Sequence, residues 1–298
     1  MRFGVLGTGF WAREIHAAGL AEHPDAELAG IWGRDLAKAK AVGAEFDVQG
    51  YDDLDALLAQ VDAVSFALPP DVQAPLAVRA AETGKHLLLE KPIALTLEDA
   101  DRLVDAVRAA GVASVVFFTL RFREATSTWL TQAARTHLAG GAGSWLGNNY
   151  QPDSPFKDSV WRQQKGALWD IGPHALSLFL PALGPVTAVQ AGAGLGDTVH
   201  LVLAHASGAA STVTLSHTVA PMSAGIEFFV HGDAGRLVLL PEEGVARAAH
   251  QIAVTELTQA ATTGGTHPCD VGFGREVVTV LAAAQRALES GCREPVGA

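Results

Sequence analysis

Apolar runs and helix-like segments alternate through the first third of the chain, and this alternation limits most strongly how the chain can fold. The predicted strands are Arg2–Leu6, Glu27–Trp32, Ala63–Leu68, His86–Leu89 and Ser114–Phe118. The helix-like segments between and after them are Ala12–Glu22, Leu36–Val42, Leu54–Gln60, Val72–Thr83 and Leu97–Ala110. A strand–helix–strand rhythm of this kind predicts a parallel sheet covered by helices on both faces.

Beyond residue 120 the rhythm gives way to a different pattern. A helix-like stretch at Ala125–Leu138 precedes a glycine-rich segment (Gly140–Gly143), a loop (Gln151–Lys165) and a strong helix that begins near Leu168. Short turn-like separators then divide a series of predicted strands, which are Val186–Ala193, Thr198–Ala206, Ala210–Val219, Ile226–His231 and Arg236–Leu240. Successive hairpins predict an antiparallel sheet. A final helix is predicted at about residues 273–289.

Length and charge narrow the class of protein. At 298 residues the chain is longer than one hydrophobic core usually supports, so we predict two domains, residues 1–120 and 121–298. The last helix is a candidate to pack back towards the first domain. A net charge of −11 disfavours nucleic acid and anionic membranes as partners. With two cysteines, no signal-peptide pattern and no apolar run of transmembrane length, the sequence predicts a cytoplasmic protein.

A glycine fingerprint follows the first predicted strand and opens the first helix, in the order Gly7-Thr8-Gly9-Phe10-Trp11-Ala12. Gly7 permits a tight turn, Gly9 lets the backbone approach a pyrophosphate, and Ala12 is small enough for close packing of helix on strand. The amino end of the helix then faces the phosphates. The alternative is a glycine turn without a ligand. We predict an α/β chain with an N-terminal Rossmann dinucleotide-binding domain and a C-terminal α+β domain on an open, mostly antiparallel sheet.

The end of the second strand indicates which dinucleotide binds. An NAD site favours an acidic residue there for the ribose diol. This chain instead has Gly33-Arg34-Asp35, and Lys38 follows one helical turn after Arg34. A small residue followed by an arginine leaves room for a 2′-phosphate and supplies a guanidinium for it. The sequence therefore favours NADP, with NAD as the alternative if Asp35 only caps the next helix and the two cations form its solvated face.

The triplet Glu90-Lys91-Pro92 closes the apolar run that begins at His86. It places a carboxylate, a cation and a rigid residue at the carboxyl end of a buried strand, where open parallel sheets bind ligands. Near a nicotinamide, Lys91 would stabilise a developing alkoxide and lower the pKa of a neighbouring imidazole. The plainer interpretation is a charged residue after a strand, paired with Glu90.

Asp170 and His174 are four residues apart, so on a single helix they would share a face. A carboxylate beside an imidazole fixes its tautomer and supports the imidazolium that forms when the ring accepts a proton. Such pairs also occur as plain partners on a helix surface. Here Gly172 and Pro173, poor residues for the inside of an ordinary helix, indicate a helix start shaped around a site.

Weaker candidates remain for the substrate. Arg121 follows the fifth strand, with a salt bridge at the domain joint as its alternative role. Trp161 and Arg162 lie in the predicted loop, although a tryptophan is more often a packing residue. Three histidines on predicted strands lack the spacing of metal ligands and are interpreted as structural: His205, His217 and His231. The segment His267-Pro268-Cys269 is only weak evidence for a metal-binding site, so no metal is predicted.

With these motifs, the chain resembles the Gfo/Idh/MocA family, named for glucose–fructose oxidoreductase and inositol dehydrogenase. The resemblance covers almost the whole length. It rests on the glycine fingerprint, Ala67-Leu68-Pro69-Pro70, Gly84-Lys85-His86 running into Glu90-Lys91-Pro92, and the segment from Trp161-Arg162 through Gly166-Ala167-Leu168-Trp169-Asp170-Ile171-Gly172-Pro173-His174.

The resemblance implies roles for several of these residues. Lys91, Asp170 and His174 would be catalytic, and Leu68, Pro69 and Pro70 would lie in the cofactor-binding loop near the nicotinamide with Glu90. One face of the second domain's sheet would close the active site, and the other commonly builds an oligomer. The chain departs from the family's sequence pattern at two places. It has Gln73 where many members have histidine, and Gln164-Lys165-Gly166 where a run of glycines is common.

Together these features predict an NAD(P)-dependent oxidoreductase that interconverts a secondary alcohol and a ketone on a sugar or polyol. The expected assembly is a homodimer or homotetramer formed through the second domain. The rival prediction is a non-catalytic NAD(P)-binding sensor, because fold alone does not fix function. A third is a different enzyme on the same scaffold, such as a hydrolase or an enone reductase.

Overall fold

The computed structural model describes residues 1–152, 154–240 and 246–297, so residue 153 of the predicted loop lies outside the described residues. The chain divides into two compact units. The first comprises Met1–Phe122 and Gly244–Arg275, and the second comprises Arg123–Glu243 and Glu276–Ala298.

Strands and helices follow one another along the described residues in this order. The strands are β1 (Arg2–Leu6), β2 (Glu27–Trp32), β3 (Gln49–Tyr51), β4 (Ala63–Phe66), β5 (His86–Leu89), β6 (Ser114–Val116), β7 (Leu138–Leu146), β8 (Val186–Ala193), β9 (Val199–His205), β10 (Ala210–Ser216), β11 (Gly225–Gly232), β12 (Gly235–Leu239) and β13 (Glu294–Pro295). The helices are α1 (Ala18–Ala21, continuing a π-helical Ala12–Ala17), α2 (Leu36–Glu45), α3 (Leu54–Leu58), α4 (Pro70–Glu82), α5 (Leu97–Ala110), α6 (Glu124–Ala133), α7 (Val160–Asp170), α8 (Gly172–Leu183), α9 (Ala246–Thr263) and α10 (Val271–Ser290). Short 3₁₀ turns lie at Thr119–Phe122 and Pro221–Ser223.

The first unit contains a six-stranded parallel sheet in the order β3-β2-β1-β4-β5-β6. Its strand order reverses beside β1, which pairs with β2 on one side and β4 on the other. Open α/β sheets bind ligands in the crevice at the carboxyl ends of such neighbouring strands. The predicted Rossmann-type first domain is confirmed.

Helix α5 shows how closely local sequence can determine an element. Thr96 caps it by accepting a hydrogen bond from the amide of Asp99 at 3.1 Å, and its hydroxyl donates to the Asp99 carboxylate at 2.7 Å. Gly111 ends it with a left-handed φ of 65°, a conformation that glycine adopts without a Cβ clash. The helix has the predicted bounds, 97–110.

The second unit contains a seven-stranded sheet in the order β12-β11-β7-β10-β9-β8-β13. Its pairs are antiparallel except for β7 and β10, which run parallel and bring Leu146 opposite Ser216. This agrees with the predicted mostly antiparallel sheet, and the parallel pair brings two strand ends to one edge.

The glycine-rich segment after α6 lies in β7, an interior strand between β11 and β10, and the helix predicted to reach Leu138 ends at Ala133. A Cβ at Gly143 would lie 2.1 Å from Cδ1 of Phe228, and one at Gly140 would lie 2.4 Å from the backbone oxygen of Ala210. Glycine is needed here for close packing rather than for a turn, and a sequence pattern does not distinguish those reasons.

Asp170 and His174 lie on two helices rather than on the single predicted one. Helix α7 ends at Asp170, Ile171 joins it to α8 with φ −107° and ψ −18°, and α8 starts at Gly172. Helix α7 begins at Val160, inside the predicted loop, and Gly166 interrupts it with φ 64°. The prediction was wrong because Pro173 lacks an N–H group and therefore suits a new helix start.

Two elements of the first unit were not predicted, β3 and α9. The buried face of α9 includes Ala249, His250 and Ala253, which are small or polar, so it gives little apolar periodicity. Strand β3 has only three residues.

Candidate functional site

The glycine fingerprint forms the turn between β1 and the first helix. Gly7 has φ 137°, a Cβ on it would lie 2.6 Å from the backbone oxygen of Ala67, and its amide donates to the carbonyl of Trp32 at 2.9 Å. A Cβ on Gly9 would meet no atom of the described residues within 4 Å. The turn is therefore closed at Gly7 and open at Gly9, which fits a pyrophosphate approaching the backbone there.

The end of β2 packs against the fingerprint. A Cβ on Gly33 would lie 2.6 Å from Cγ2 of Thr8, so only glycine fits the present arrangement. Arg34 and Lys38 are exposed, and Asp35 caps α2 by accepting from the amides of residues 37 and 38. This geometry is compatible both with a guanidinium reaching a 2′-phosphate and with a solvated helix face.

The proline loop lies between β4 and α4. Pro69 precedes α4 and Pro70 occupies its first turn, while Leu68 and Pro69 are half-buried. One turn further on, Gln73 is fully buried. Its Oε1 accepts from the amide of Glu90 at 2.9 Å and its Nε2 donates to the Glu90 carbonyl at 2.8 Å. Gln73 therefore holds the backbone of the Glu-Lys-Pro segment.

The side chain of Glu90 connects the fingerprint with Lys91. Its Oε1 accepts from the indole Nε1 of Trp11 at 2.7 Å and lies 3.2 Å from Nε2 of His16. Its Oε2 accepts from the amide of Lys91 at 3.1 Å. Both Glu90 and Lys91 are largely buried, and the Lys91–Pro92 peptide bond is cis. The first unit thus joins Trp11, Glu90 and Lys91 directly, while the fingerprint residue Phe10 is 45% exposed.

Arg121 lies in the 3₁₀ turn Thr119–Phe122, after β6. Its guanidinium carbon stands 5.6 Å from the centre of the Phe273 ring. This cation–π contact within the first unit constrains the side chain.

In the second unit, the carboxylate of Asp170 is held by two cationic or polar side chains. Arg162 donates from Nε to Oδ2 at 2.9 Å, and Nε2 of His217 lies 3.1 Å from the same oxygen. Within the described residues Nε2 of His217 makes no hydrogen bond, so its approach to Asp170 is a close polar contact. Asp170 is buried, and a buried carboxylate requires such partners.

His217 follows the carboxyl end of β10 and is fully buried. Nδ2 of Asn149 lies 2.9 Å from its Nδ1, and Asp197 accepts from its amide at 2.8 Å. If the Asn149 amide donates, the ring proton lies on Nε2, the nitrogen that is 3.1 Å from the Asp170 carboxylate. From the sequence alone, His217 is interpreted as a structural histidine, with no link to Asp170. The parallel β7–β10 pair explains this placement, because the two strand ends bring Asn149 and His217 together.

His174 and Arg162 are framed by aromatic rings. The ring of His174 stacks on Trp145 with centroids 4.9 Å apart, and its carbonyl accepts from Ser177 at 2.7 Å. The Arg162 guanidinium lies 4.7 Å from the ring centres of both Trp161 and Phe156. Trp161 therefore supports Arg162, and Arg162 binds Asp170.

Tyr150 adds a hydroxyl beside this group. It donates to the carbonyl of Arg162 at 3.0 Å. Burial, reinforced by the negative charges of Asp197 and Asp170, raises the pKa of Tyr150 to about 12. The phenol therefore stays protonated at neutral pH and acts there as a donor.

The candidate residues therefore form two groups. The first unit holds the fingerprint, Gly33, Glu90 and Lys91, and the second holds Arg162, Asp170 and His174. Among the described residues, no cluster of three or more histidine, cysteine or acidic side chains is arranged to hold a metal ion. His267 instead pairs with Glu256 at 2.7 Å. No helix in the described part of the chain is long and apolar enough to cross a membrane.

A parallel sheet with a glycine fingerprint at its switch point defines the class of Rossmann-fold proteins. Residues 1–118 match the NAD-binding Rossmann fold of the GFO/IDH/MocA oxidoreductase family, and residues 141–238 match that family's C-terminal domain. The chain belongs to the GFO/IDH/MocA family of oxidoreductases.

Two relatives illustrate the similarity. An uncharacterised oxidoreductase of Synechocystis sp. is 32% identical over 195 residues, which are 63% of this chain and 52% of that protein. The dTDP-3,4-didehydro-2,6-dideoxy-α-D-glucose 3-reductase of Streptomyces antibioticus is 31% identical over 189 residues, 62% of this chain and 57% of the reductase. The matches span little more than half the length of these curated relatives.

Among solved structures, the WlbA dehydrogenase of Bordetella pertussis, in complex with NADH and UDP-GlcNAcA, superposes with a TM-score of 0.86 at 24% identity. The match covers 100% of this chain and 99% of that one. At this level of identity the likeness shows a shared fold.

Proposed function

We propose that this protein is an NAD(P)-dependent dehydrogenase or reductase that interconverts a secondary alcohol and a ketone on a sugar, a polyol or a similar small molecule. The observation that carries the proposal is the link from the fingerprint to Lys91 through Glu90. The Trp11–Glu90 bond at 2.7 Å and the Lys91 amide on Glu90 at 3.1 Å support a lysine held beside a dinucleotide site. The reductase and the dehydrogenase among its relatives both act on or bind nucleotide-linked sugars.

Each residue has a defined part in this chemistry. The fingerprint turn at Gly7 and Gly9 would hold the pyrophosphate, and a nicotinamide cofactor bound there would supply the hydride acceptor or donor. In oxidation, His174 takes the hydroxyl proton of the substrate, and Lys91 stabilises the developing oxyanion. Asp170, held by Arg162 at 2.9 Å, provides fixed negative charge near an imidazolium. In reduction the proton transfers reverse.

A screen of hydride transfer tests the proposal. The protein is incubated with NAD or NADP and with polyols, free sugars and nucleotide sugars, and with the reduced cofactors and ketones, while cofactor absorbance is followed. We expect turnover with at least one carbohydrate. Tight cofactor binding without turnover on any of them would instead indicate the non-catalytic sensor, and product formed without cofactor turnover would indicate another enzyme.

We infer that NADP is the preferred cofactor, supported by exposed Arg34 and Lys38 beside the small Gly33. Arg34→Ala should weaken NADP binding roughly ten- to hundredfold, since a hydrogen bond to a charged group contributes about 1.5–3 kcal/mol, and should leave NAD binding almost unchanged. Titration of both cofactors measures this, with Lys40→Ala, an exposed cation on helix α2 just after Arg34, as control. Equal weakening of both cofactors would refute the assignment.

We further propose a cytoplasmic homodimer or homotetramer formed through the second unit. One face of its sheet exposes apolar residues, among them Val202 on β9 and Val238 on β12, which the strand register places on the same side. An exposed apolar sheet face favours burial against a second copy of the chain. Light scattering should give a dimer or tetramer at micromolar concentration, and a monomer would contradict the proposal. Cell fractionation tests the compartment, which the low cysteine content supports.

A further inference from the structure

A chain of buried polar side chains runs through the first unit to Glu90, and the proposed chemistry makes no use of it. Nε2 of His250 on α9 lies 3.2 Å from Oγ of Ser65 on β4, and that oxygen lies 2.8 Å from Nδ1 of His16. Nε2 of His16 then reaches Oε1 of Glu90 at 3.2 Å. His16, Ser65 and His250 are completely buried. Burying so many polar groups is costly, so their arrangement calls for a specific purpose.

Donor and acceptor chemistry fixes which group donates in each of the hydrogen bonds from His250 to Glu90. An ionised Glu90 can only accept, so Nε2 of His16 carries its proton and donates to the carboxylate. In the neutral ring Nδ1 is then an acceptor, and the Ser65 hydroxyl donates to it. The Ser65 oxygen is left to accept from Nε2 of His250. Burial lowers the pKa of His250 well below its ordinary value, which agrees with a neutral ring that carries one proton.

At its His250 end, this series of hydrogen-bonded side chains has no outlet to solvent or to another polar group of the described residues. Nδ1 of His250 has no hydrogen-bond partner among the described residues and would lie 2.7 Å from a Cβ built on Gly19. The rings of His16 and His250 are 4.5 Å apart, and Phe117 packs edge-on against both. A proton path needs an outlet at each end. A closed and tightly packed chain instead holds groups in place.

The group that these buried side chains hold in place is the Glu90 carboxylate. Three donors fix that side chain: His16 and Trp11 on Oε1, and the amide of Lys91 on Oε2. We propose that His16, backed by Ser65 and His250, is a positioning residue that fixes Glu90 and through it Lys91. This inference rests on the proposed function, because it takes Lys91 to be the catalytic cation.

A double-mutant cycle tests the proposal. His16→Leu removes both hydrogen bonds of the ring and should lower kcat about ten- to hundredfold, the scale of loss expected when a reacting group is misplaced. His16→Gln keeps a donor for Glu90 and should recover most of that loss. In a Lys91→Ala background, His16→Leu should change the residual kcat less than about twofold, because its effect passes through the missing amine.

The control is His23→Leu, which removes another largely buried histidine of the same unit, bonded to Thr255 at 2.9 Å. It should leave kcat unchanged. Rates are expressed per cofactor-binding site, so a smaller folded fraction does not count as lost turnover. If His16→Leu does not fold, Ser65→Ala replaces it in the same cycle, with an expected severalfold loss.

Several outcomes overturn the inference. One is an unchanged kcat in His16→Leu, or in Ser65→Ala where that variant replaces it. Another is an equal fold-loss with and without Lys91, and a third is no recovery in His16→Gln. The proposed function fails separately, if Lys91→Ala itself leaves turnover intact.

Discussion

Asp170 illustrates how a carboxylate can be buried inside a protein when charged and polar side chains surround it. Arg162 donates to it at 2.9 Å and His217 approaches the same oxygen at 3.1 Å. Two rings hold the guanidinium and Asn149 holds the imidazole. Removing Arg162 or His217 would leave the buried Asp170 carboxylate with one partner fewer, which costs folding free energy.

This arrangement predicts a role for His217 that its position in the sequence, directly after β10, does not reveal. His217→Asn should lower kcat/KM roughly tenfold, since side chains in contact couple by about 0.5–3 kcal/mol and Arg162 remains to support the Asp170 carboxylate. Cofactor binding should not change. His231→Asn, an exposed histidine on β11, is the matched control. If both variants turn over at the wild-type rate, His217 does not support Asp170 in catalysis.

At the scale of elements, the sequence predicts what depends on local pattern and misses what depends on distant partners. Helix α5, with its Thr96 cap and Gly111 end, has the predicted bounds. Strand β7 was missed because its glycines are required by residues far along the chain, such as Phe228. The same limit applies to the candidate site. Lys91 stands out by its motif, whereas His16 and its partner Glu90 are 74 residues apart and show no shared pattern.

The packing account of β7 can be tested with one substitution at two places in the same sheet. Gly143→Ala places a Cβ 2.1 Å from the buried Phe228 ring and should cost about 1–3 kcal/mol of unfolding free energy, as overpacking does. Gly192→Ala adds a Cβ on β8 that meets no described atom within 4 Å and should be neutral or slightly stabilising. Chemical denaturation of both variants gives the comparison. Equal stabilities would show that close packing is not why β7 is rich in glycine.

At the scale of the whole molecule, the two units carry different parts of the proposed chemistry. The first has the fingerprint and Lys91, and the second has Asp170 and His174. The family resemblance seen in the sequence is confirmed by both domain matches. The substrate is harder to predict, because specificity depends on loops such as 147–159, whose sequence shows no regular pattern.

We propose above all that Lys91 and His174 carry out the proton transfer and oxyanion stabilisation, while the glycine fingerprint holds the cofactor. The most direct test compares turnover with cofactor affinity in Lys91→Ala and His174→Ala. The controls are Lys85→Ala, just before the amino end of β5, whose carboxyl end Lys91 follows, and His200→Ala, exposed on β9. We expect each catalytic variant to lose about a hundredfold or more in turnover and to bind cofactor normally, with both controls near the wild-type rate. Undiminished turnover in Lys91→Ala and His174→Ala would contradict the account.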